Sequence, residues 1–187
     1  MKGLCLNAQK NWEFIVFQQL QRHLVEQAPR LLRRPLRLVP FTLQQNLMEA
    51  LLAQVFREAI ADGDFAFLAG KWLKVEVTDL DLCWFISERD GKLVVARQCE
   101  RPHVCFSGNS QDLILIAGRK EDPDSLFFQR RLKIEGDTEL GLEVKNLMDS
   151  LDLDGLGLMK YPLMDLASLI ERVRADGQSV REPAPAV

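Results

Sequence analysis

The sequence predicts an α+β fold: a sheet of about five strands covered by helices, preceded by an N-terminal amphipathic helical arm. Three observations carry that reading. Apolar residues recur at helical spacing near both ends of the chain and at strand-like density between them. The pairs Asp90-Gly91 and Asp122-Pro123 mark a hairpin turn and a helix start. The 187 residues, 47% hydrophobic and 27% charged, suffice for one ordinary domain with its own core. Helices, strands, helices, a strand and a helix follow in blocks, which is the α+β order.

The first helix is expected over residues 8–28, with Phe14, Phe17, Leu20, Leu24 and Ala28 at steps of three and four and with Trp12, Ile15 and Val16 widening the stripe. It is expected to stop at Pro29, because prolines 29, 35 and 40 argue against a regular helix through residues 28–40. A second helix opens with a capping box at Thr42-Leu43-Gln44-Gln45 and runs to Asp62-Gly63. Strands are expected at 65–68, 72–77, 80–87, 92–99 and 103–107. Residues 110–118 read as a short helix and 123–129 as another, capped by Asp122. A last strand at 132–135 leads through Gly136-Asp137 into a helix reaching about Leu151. Met159, Leu163, Leu166, Ala167, Ile170 and Val173 form a final amphipathic stretch. The expected organisation is an arm (1–41), a domain (42–152), a C-terminal helix (153–175) and a disordered tail (176–187).

Charge narrows the function classes. With 24 Lys plus Arg against 27 Asp plus Glu, the net charge is −3, a poor match for a nucleic-acid binder, and no nucleic-acid partner is expected. Two local runs depart from this balance. Five arginines and Glu26 between residues 22 and 37 give +4, whereas seven acids and Lys145 between 135 and 154 give −6. The N-terminal apolar stretch is too short for a signal peptide, and no run approaches the ~20 apolar residues that span a bilayer. A cytoplasmic location with reversible contact at the inner face of the cytoplasmic membrane is the resulting expectation.

Reactive chemistry is sparse. Cys5, Cys83, Cys99 and Cys105 lack the C-x-x-C spacing of a metal knuckle. The only histidines, His23 and His103, sit in no recognisable nucleophile or metal motif. Residues 150–155 imitate the start of a calcium loop, but position 1 is Ser150 and position 12 is Tyr161, where a bidentate Glu is needed. No catalytic residue, metal or cofactor is therefore assigned. What abounds is apolar side chain, which suits either a plain core or an apolar ligand pocket.

A resemblance goes further. The segment VCFSGNSQDLILIAGRKEDPDSLFFQRRLKIEGDTELGLEVKNLMDSLD, residues 104–152, resembles the closing half of the sterol carrier protein type-two lipid-binding domain. The likeness extends over residues 43–151. The run 119–149, together with Arg37-Leu38-Val39-Pro40 and Gly70-Lys71-Trp72, is similar to a narrower family of bacterial accessory factors of oxygen-independent ubiquinone biosynthesis. The resemblance implies a five-stranded sheet covered by helices around an apolar lipid tunnel, and no catalysis. It implies isoprenoid quinone intermediates as ligands, phospholipid as a further one, and oxygen-independent hydroxylases as the enzymes served. Leu51, Val55, Trp84, Phe106, Ile116, Leu140 and Val144 are the lining candidates, as core-facing residues on the relevant elements. Arg30, Arg33, Arg34 and Arg37 are candidates for an anionic membrane surface. Phe127 and Phe128 are candidates for protein partners, which an alternative scaffold role without lipid would use.

Overall fold

The computed structural model describes residues 3–149, 157–158 and 160–179. Its order is α1 (Gly3–Leu38), α2 (Phe41–Val55), α3 (Arg57–Asp62), a 3-10 turn (Ala66–Leu68), β1 (Leu73–Val77), β2 (Leu82–Arg89), β3 (Lys92–Ala96), β4 (Val104–Gly108), α4 (Ser110–Ala117), α5 (Pro123–Phe128), β5 (Leu132–Gly136), α6 (Thr138–Asp149) and α7 (Lys160–Ser179). The five strands form one sheet in the order β3-β2-β1-β4-β5. Only the β1–β4 pair is parallel. Asp90 and Gly91 both take positive φ, 53° and 73°, as a two-residue turn between β2 and β3 requires.

Register divides the side chains cleanly. Trp84, Val75, Phe106 and Ile134 lie opposite one another across four strands, and Ile86, Leu73 and Val104 form the next rung. Trp84, Phe106, Ile86, Leu73 and Val104 join Leu68, Ile116, Leu126, Leu140, Val144 and Leu147 in the main core, with Val75, Ile134, Met48, Leu52 and Ile60 packed against it. One sheet face is thus covered by helices α2 to α6. The other face carries Lys74, Glu76, Cys83, Phe85 and Cys105, all half-buried. Helix α6 approaches the covered face at Gly141, where an added methyl would stand 3.0 Å from Ile134 Cγ2.

A smaller core lies between α1, α4 and α7, built from Val25, Leu115 and Ile170. The closest approach is at Gly118, just after α4: a Cβ there would overlap the Cβ of Ala167, which is fully buried on α7.

Five expectations are corrected. The first helix does not stop at Pro29; α1 runs through Pro29 and Pro35 to Leu38. Proline at 29 removes the N–H that would bond the Val25 carbonyl, and that carbonyl instead accepts from Gln111 Nε2 at 3.0 Å. The second helix breaks into α2 and α3 at Phe56, which leaves helical φ/ψ. Its capping box does not form: Pro40 is the N-cap, Gln44 Nε2 reaches the Val39 carbonyl, and Gln45 pairs with Glu49. Residues 66–68 form a 3-10 turn rather than a strand, between Gly63 and Gly70 at φ 80° and 71°. Helix α7 continues past Asp176 to Ser179. The calcium-loop look-alike at 150–155 and the tail from residue 180 lie outside the described residues.

Candidate functional site

The covered sheet face is almost wholly apolar. By register, the strands present to it Leu73, Val75, Val77, Leu82, Trp84, Ile86, Leu93, Val95, Val104, Phe106, Leu132 and Ile134, with Glu88 at one end. Among the lining candidates, Trp84, Phe106, Ile116, Leu140 and Val144 are buried in the main core. Leu51 and Val55 are half-buried on α2. The first five therefore meet across one layer. Trp84 is 8% exposed, and its indole Nε1 is buried with no hydrogen-bond partner among the described residues.

A pocket of about 430 Å³ opens where α1 passes into α2, lined among others by Arg37, Val39, Phe41, Gln44, Leu82 and Arg97. Its lining mixes polar and apolar side chains, and two of the apolar ones, Phe41 and Leu82, pack directly against the main core. A second cleft of about 210 Å³, between α3 and the β2–β3 hairpin, includes Ile60, Phe65 and Leu93.

The continuous α1 gathers what a broken arm would scatter. At 100° per residue, Arg30, Arg33, Arg34 and Arg37 share an arc of about 100°. Leu20, Leu24, Leu31 and Leu38 fall within about 40° beside it. All four leucines are exposed, by 54%, 55%, 68% and 83%, so this stripe is not core. Arg33 pairs with Asp81 at 3.4 Å and Arg37 pairs with the same carboxylate. Arg30 and Arg34 make no ion pair among the described residues. Leu20 and Leu24 belong to the stripe that the sequence shows; Leu31 and Leu38 extend it because the helix passes Pro29.

A polar cluster holds α7 in place. Asp112 is fully buried on α4 and receives Arg131 and, at 2.7 Å, Arg174 of α7. Both guanidiniums also reach Glu121. Burial pushes the Asp112 carboxyl up, opposed by the charge of Arg131 and the hydrogen bond from Asn109. Asp112 was missed in the sequence, although a lone acid in the apolar run 110–117, three residues after Asn109, was the available signal.

His103 Nδ1 accepts from the Trp72 amide at 3.1 Å, and His23 is exposed on α1. Burial pushes the Cys83 and Cys105 thiols up, which disfavours the reactive thiolate. Among the described residues, no three His, Cys, Asp or Glu cluster as metal ligands, and no helix is long and apolar enough to cross a membrane. Phe127 and Phe128, 42% and 80% exposed, stand edge-to-face at 6.0 Å on α5.

Comparison with known proteins gives a consistent result. The model of the SCP-2 sterol transfer family matches residues 48–149. The ubiquinone biosynthesis accessory factor UbiT of Escherichia coli strain K12 is 47% identical over 154 residues, covering 82% of this chain and 88% of that protein. The UbiT protein of Escherichia coli O157:H7 gives the same figures. Among solved structures, the UbiJ-SCP2 ubiquinone synthesis protein aligns with a TM-score of 0.50 at 20% identity, over 60% of this chain and all of that one. That last likeness bears on the fold.

Proposed function

The chain belongs to the SCP-2 sterol transfer family, and from that premise we propose that it is a non-catalytic lipid-binding accessory factor for ubiquinone biosynthesis without oxygen. In this reading it takes isoprenoid quinone intermediates, and phospholipid as a further ligand, between the sheet and its covering helices. It then makes the quinone head available to soluble hydroxylases. The observation that carries the reading is the continuous apolar layer of Trp84, Phe106, Ile116, Leu140 and Val144, formed between one five-stranded sheet and its covering helices.

The physics of the substrate supplies the need. Each buried methylene is worth ~0.8 kcal/mol, so a tail of several isoprene units costs on the order of 10 kcal/mol to hold in water. A soluble enzyme meets such a substrate only if something shields the tail. The 430 Å³ pocket at the α1–α2 junction suits a portal, since its lining combines Arg37, Gln44 and Arg97 with Phe41 and Leu82 of the core edge.

Helix α1 is proposed as the membrane contact. Arg30 and Arg34 are free to meet anionic headgroups, each worth ~1 kcal/mol near the surface. The exposed leucines beside them enter the acyl boundary. The protein would then load at the inner face of the cytoplasmic membrane and release into the cytoplasm.

The test is extraction. Wild-type protein incubated with vesicles carrying a labelled polyprenyl quinone should appear in the soluble fraction with label bound. Substitution of bulk into the layer, such as Val144→Trp, should abolish uptake in protein that still melts cooperatively. Label that stays with the vesicles in the presence of wild-type protein contradicts the carrier reading.

The exposed pair Phe127 and Phe128 favours one alternative, a scaffold that recruits biosynthetic enzymes without carrying lipid. Capture of hydroxylases by lipid-stripped protein, lost in a Phe127→Ser, Phe128→Ser variant, would support it.

A further inference from the structure

Among the side chains that the five strands turn toward the covered face, Trp84 is the only hydrogen-bond donor. Its neighbours on that face are Val75 across the β1–β2 pair and Leu82 and Ile86 along its own strand. The ring is more than nine-tenths buried, and its Nε1 has no partner among the described residues. Buried indole N–H groups usually find one, because leaving a donor unpaired forfeits the hydrogen bonds it had in water. Phenylalanine would fill the same apolar layer without that cost. The donor is therefore an excess over what packing requires, placed in the layer where the proposed function seats a lipid.

The chemistry of the missing acceptor follows from what surrounds the ring. No cationic side chain stands on the covered face of the strands, and Arg37 and Arg97, which line the pocket at Leu82, are exposed, so a carboxylate or phosphate brought into the apolar layer itself would be desolvated without a counter-charge. A neutral oxygen fits: it accepts one hydrogen bond and needs no compensation. We propose that Trp84 is the polar anchor of the lipid site, donating its indole N–H to a neutral carbonyl, ether or phenolic oxygen of a ligand whose chain lies in the apolar layer. The inference rests on the lipid-carrier reading and names the group on the ligand that the site reads. Such an oxygen comes either from a quinone-type ring or from the ester of a glycerolipid.

The variant is Trp84→Phe, which keeps an aromatic ring and removes the donor. Three probes are titrated against wild type and variant: a short-chain ubiquinone, dioleoylglycerol, and squalene, a hydrocarbon with no oxygen. The expected result is roughly fivefold weaker binding of an oxygen-bearing probe with squalene unchanged, the size of one neutral hydrogen bond. Loss confined to ubiquinone assigns the oxygen to the ring, and loss confined to dioleoylglycerol assigns it to the ester. Equal weakening of all three means that only packing was disturbed, and it overturns the anchor, as does unchanged binding of all three. A second readout is independent of affinity. In protein labelled with 15N-tryptophan, the indole signal absent from the variant should move downfield when the ligand binds, and a signal that stays put overturns the proposal. Wild-type protein that takes up none of the probes overturns the carrier reading, and the anchor with it.

Discussion

The exposed leucine stripe of α1 makes the proposed membrane contact testable without disturbing the fold. Leu24 and Leu31 are 55% and 68% exposed, so replacing both by Glu removes little protein packing. Surface substitutions of this kind usually change stability by no more than ~0.5 kcal/mol each. At a membrane the same two side chains would bury their remaining area. A fully buried Leu is worth ~1.5–3 kcal/mol, so the exposed parts of the pair come to about 2.5 kcal/mol. That is a loss of roughly 50–100-fold in vesicle affinity, before the repulsion between two new carboxylates and anionic lipid is counted. The assay is flotation on vesicles containing phosphatidylglycerol, with melting temperature recorded in parallel. Arg30→Glu with Arg34→Glu should release the protein only from anionic vesicles and should lose its effect at high salt. Leu24→Glu with Leu31→Glu should weaken binding at any salt concentration. Folded leucine variants that float like wild type would refute the reasoning.

Further predictions concern how α7 and α6 are held. Gly118→Ala forces its methyl against Ala167, whose Cβ is fixed to a helix backbone, so α7 must shift at a cost of about 1–3 kcal/mol. Limited proteolysis should then cut within 160–179 before the sheet, and unchanged protection would show that the contact relaxes freely. Asp112→Asn keeps the shape but leaves Arg131 and Arg174 with Glu121 as their one carboxylate among the described residues, beside Gln129 and Gln111, and should cost about 2–3 kcal/mol in urea unfolding with an unchanged m-value. Asp137 accepts from the Leu140 and Glu139 amides at the start of α6, and these bonds hold its carboxyl below the usual carboxylate range. A lowered folded pKa contributes stability that is present above the unfolded value of 3.8 and is lost as pH falls through the folded one. Acid unfolding of wild type should therefore be steeper below pH 3.8 than that of Asp137→Asn, and identical slopes would remove Asp137 from the account.

Much of this architecture is legible in local sequence. Asp90-Gly91 supplies two residues that tolerate positive φ, and Asp122-Pro123 supplies a cap whose Oδ2 accepts from the Ser125 amide at 3.0 Å. The alternating strands follow from period two. What is not legible depends on distant partners. The passage of α1 through Pro29 has its compensation in Gln111, 86 residues away, so nothing near the proline announces it. The apolar run 65–68 reads as a strand until the glycines on either side curl it into a 3-10 turn. The site divides in the same way. That Trp84 and Phe106 share a face follows from register, which the sequence suggests. That Leu20 and Leu24 face outward while Val25 packs inward against α4 and α7 depends on where α7 docks, and α7 is fixed by the buried Asp112 and by the glycine at 118.

The measurement that bears most directly on the central claim is mass spectrometry of lipids that co-purify with the protein from cells grown without oxygen, compared with a mock preparation. The account predicts enrichment of polyprenylated quinone precursors, reduced in variants that fill the layer around Val144. Protein that carries no lipid above the mock level, yet still captures hydroxylases, would contradict the carrier reading and favour the scaffold.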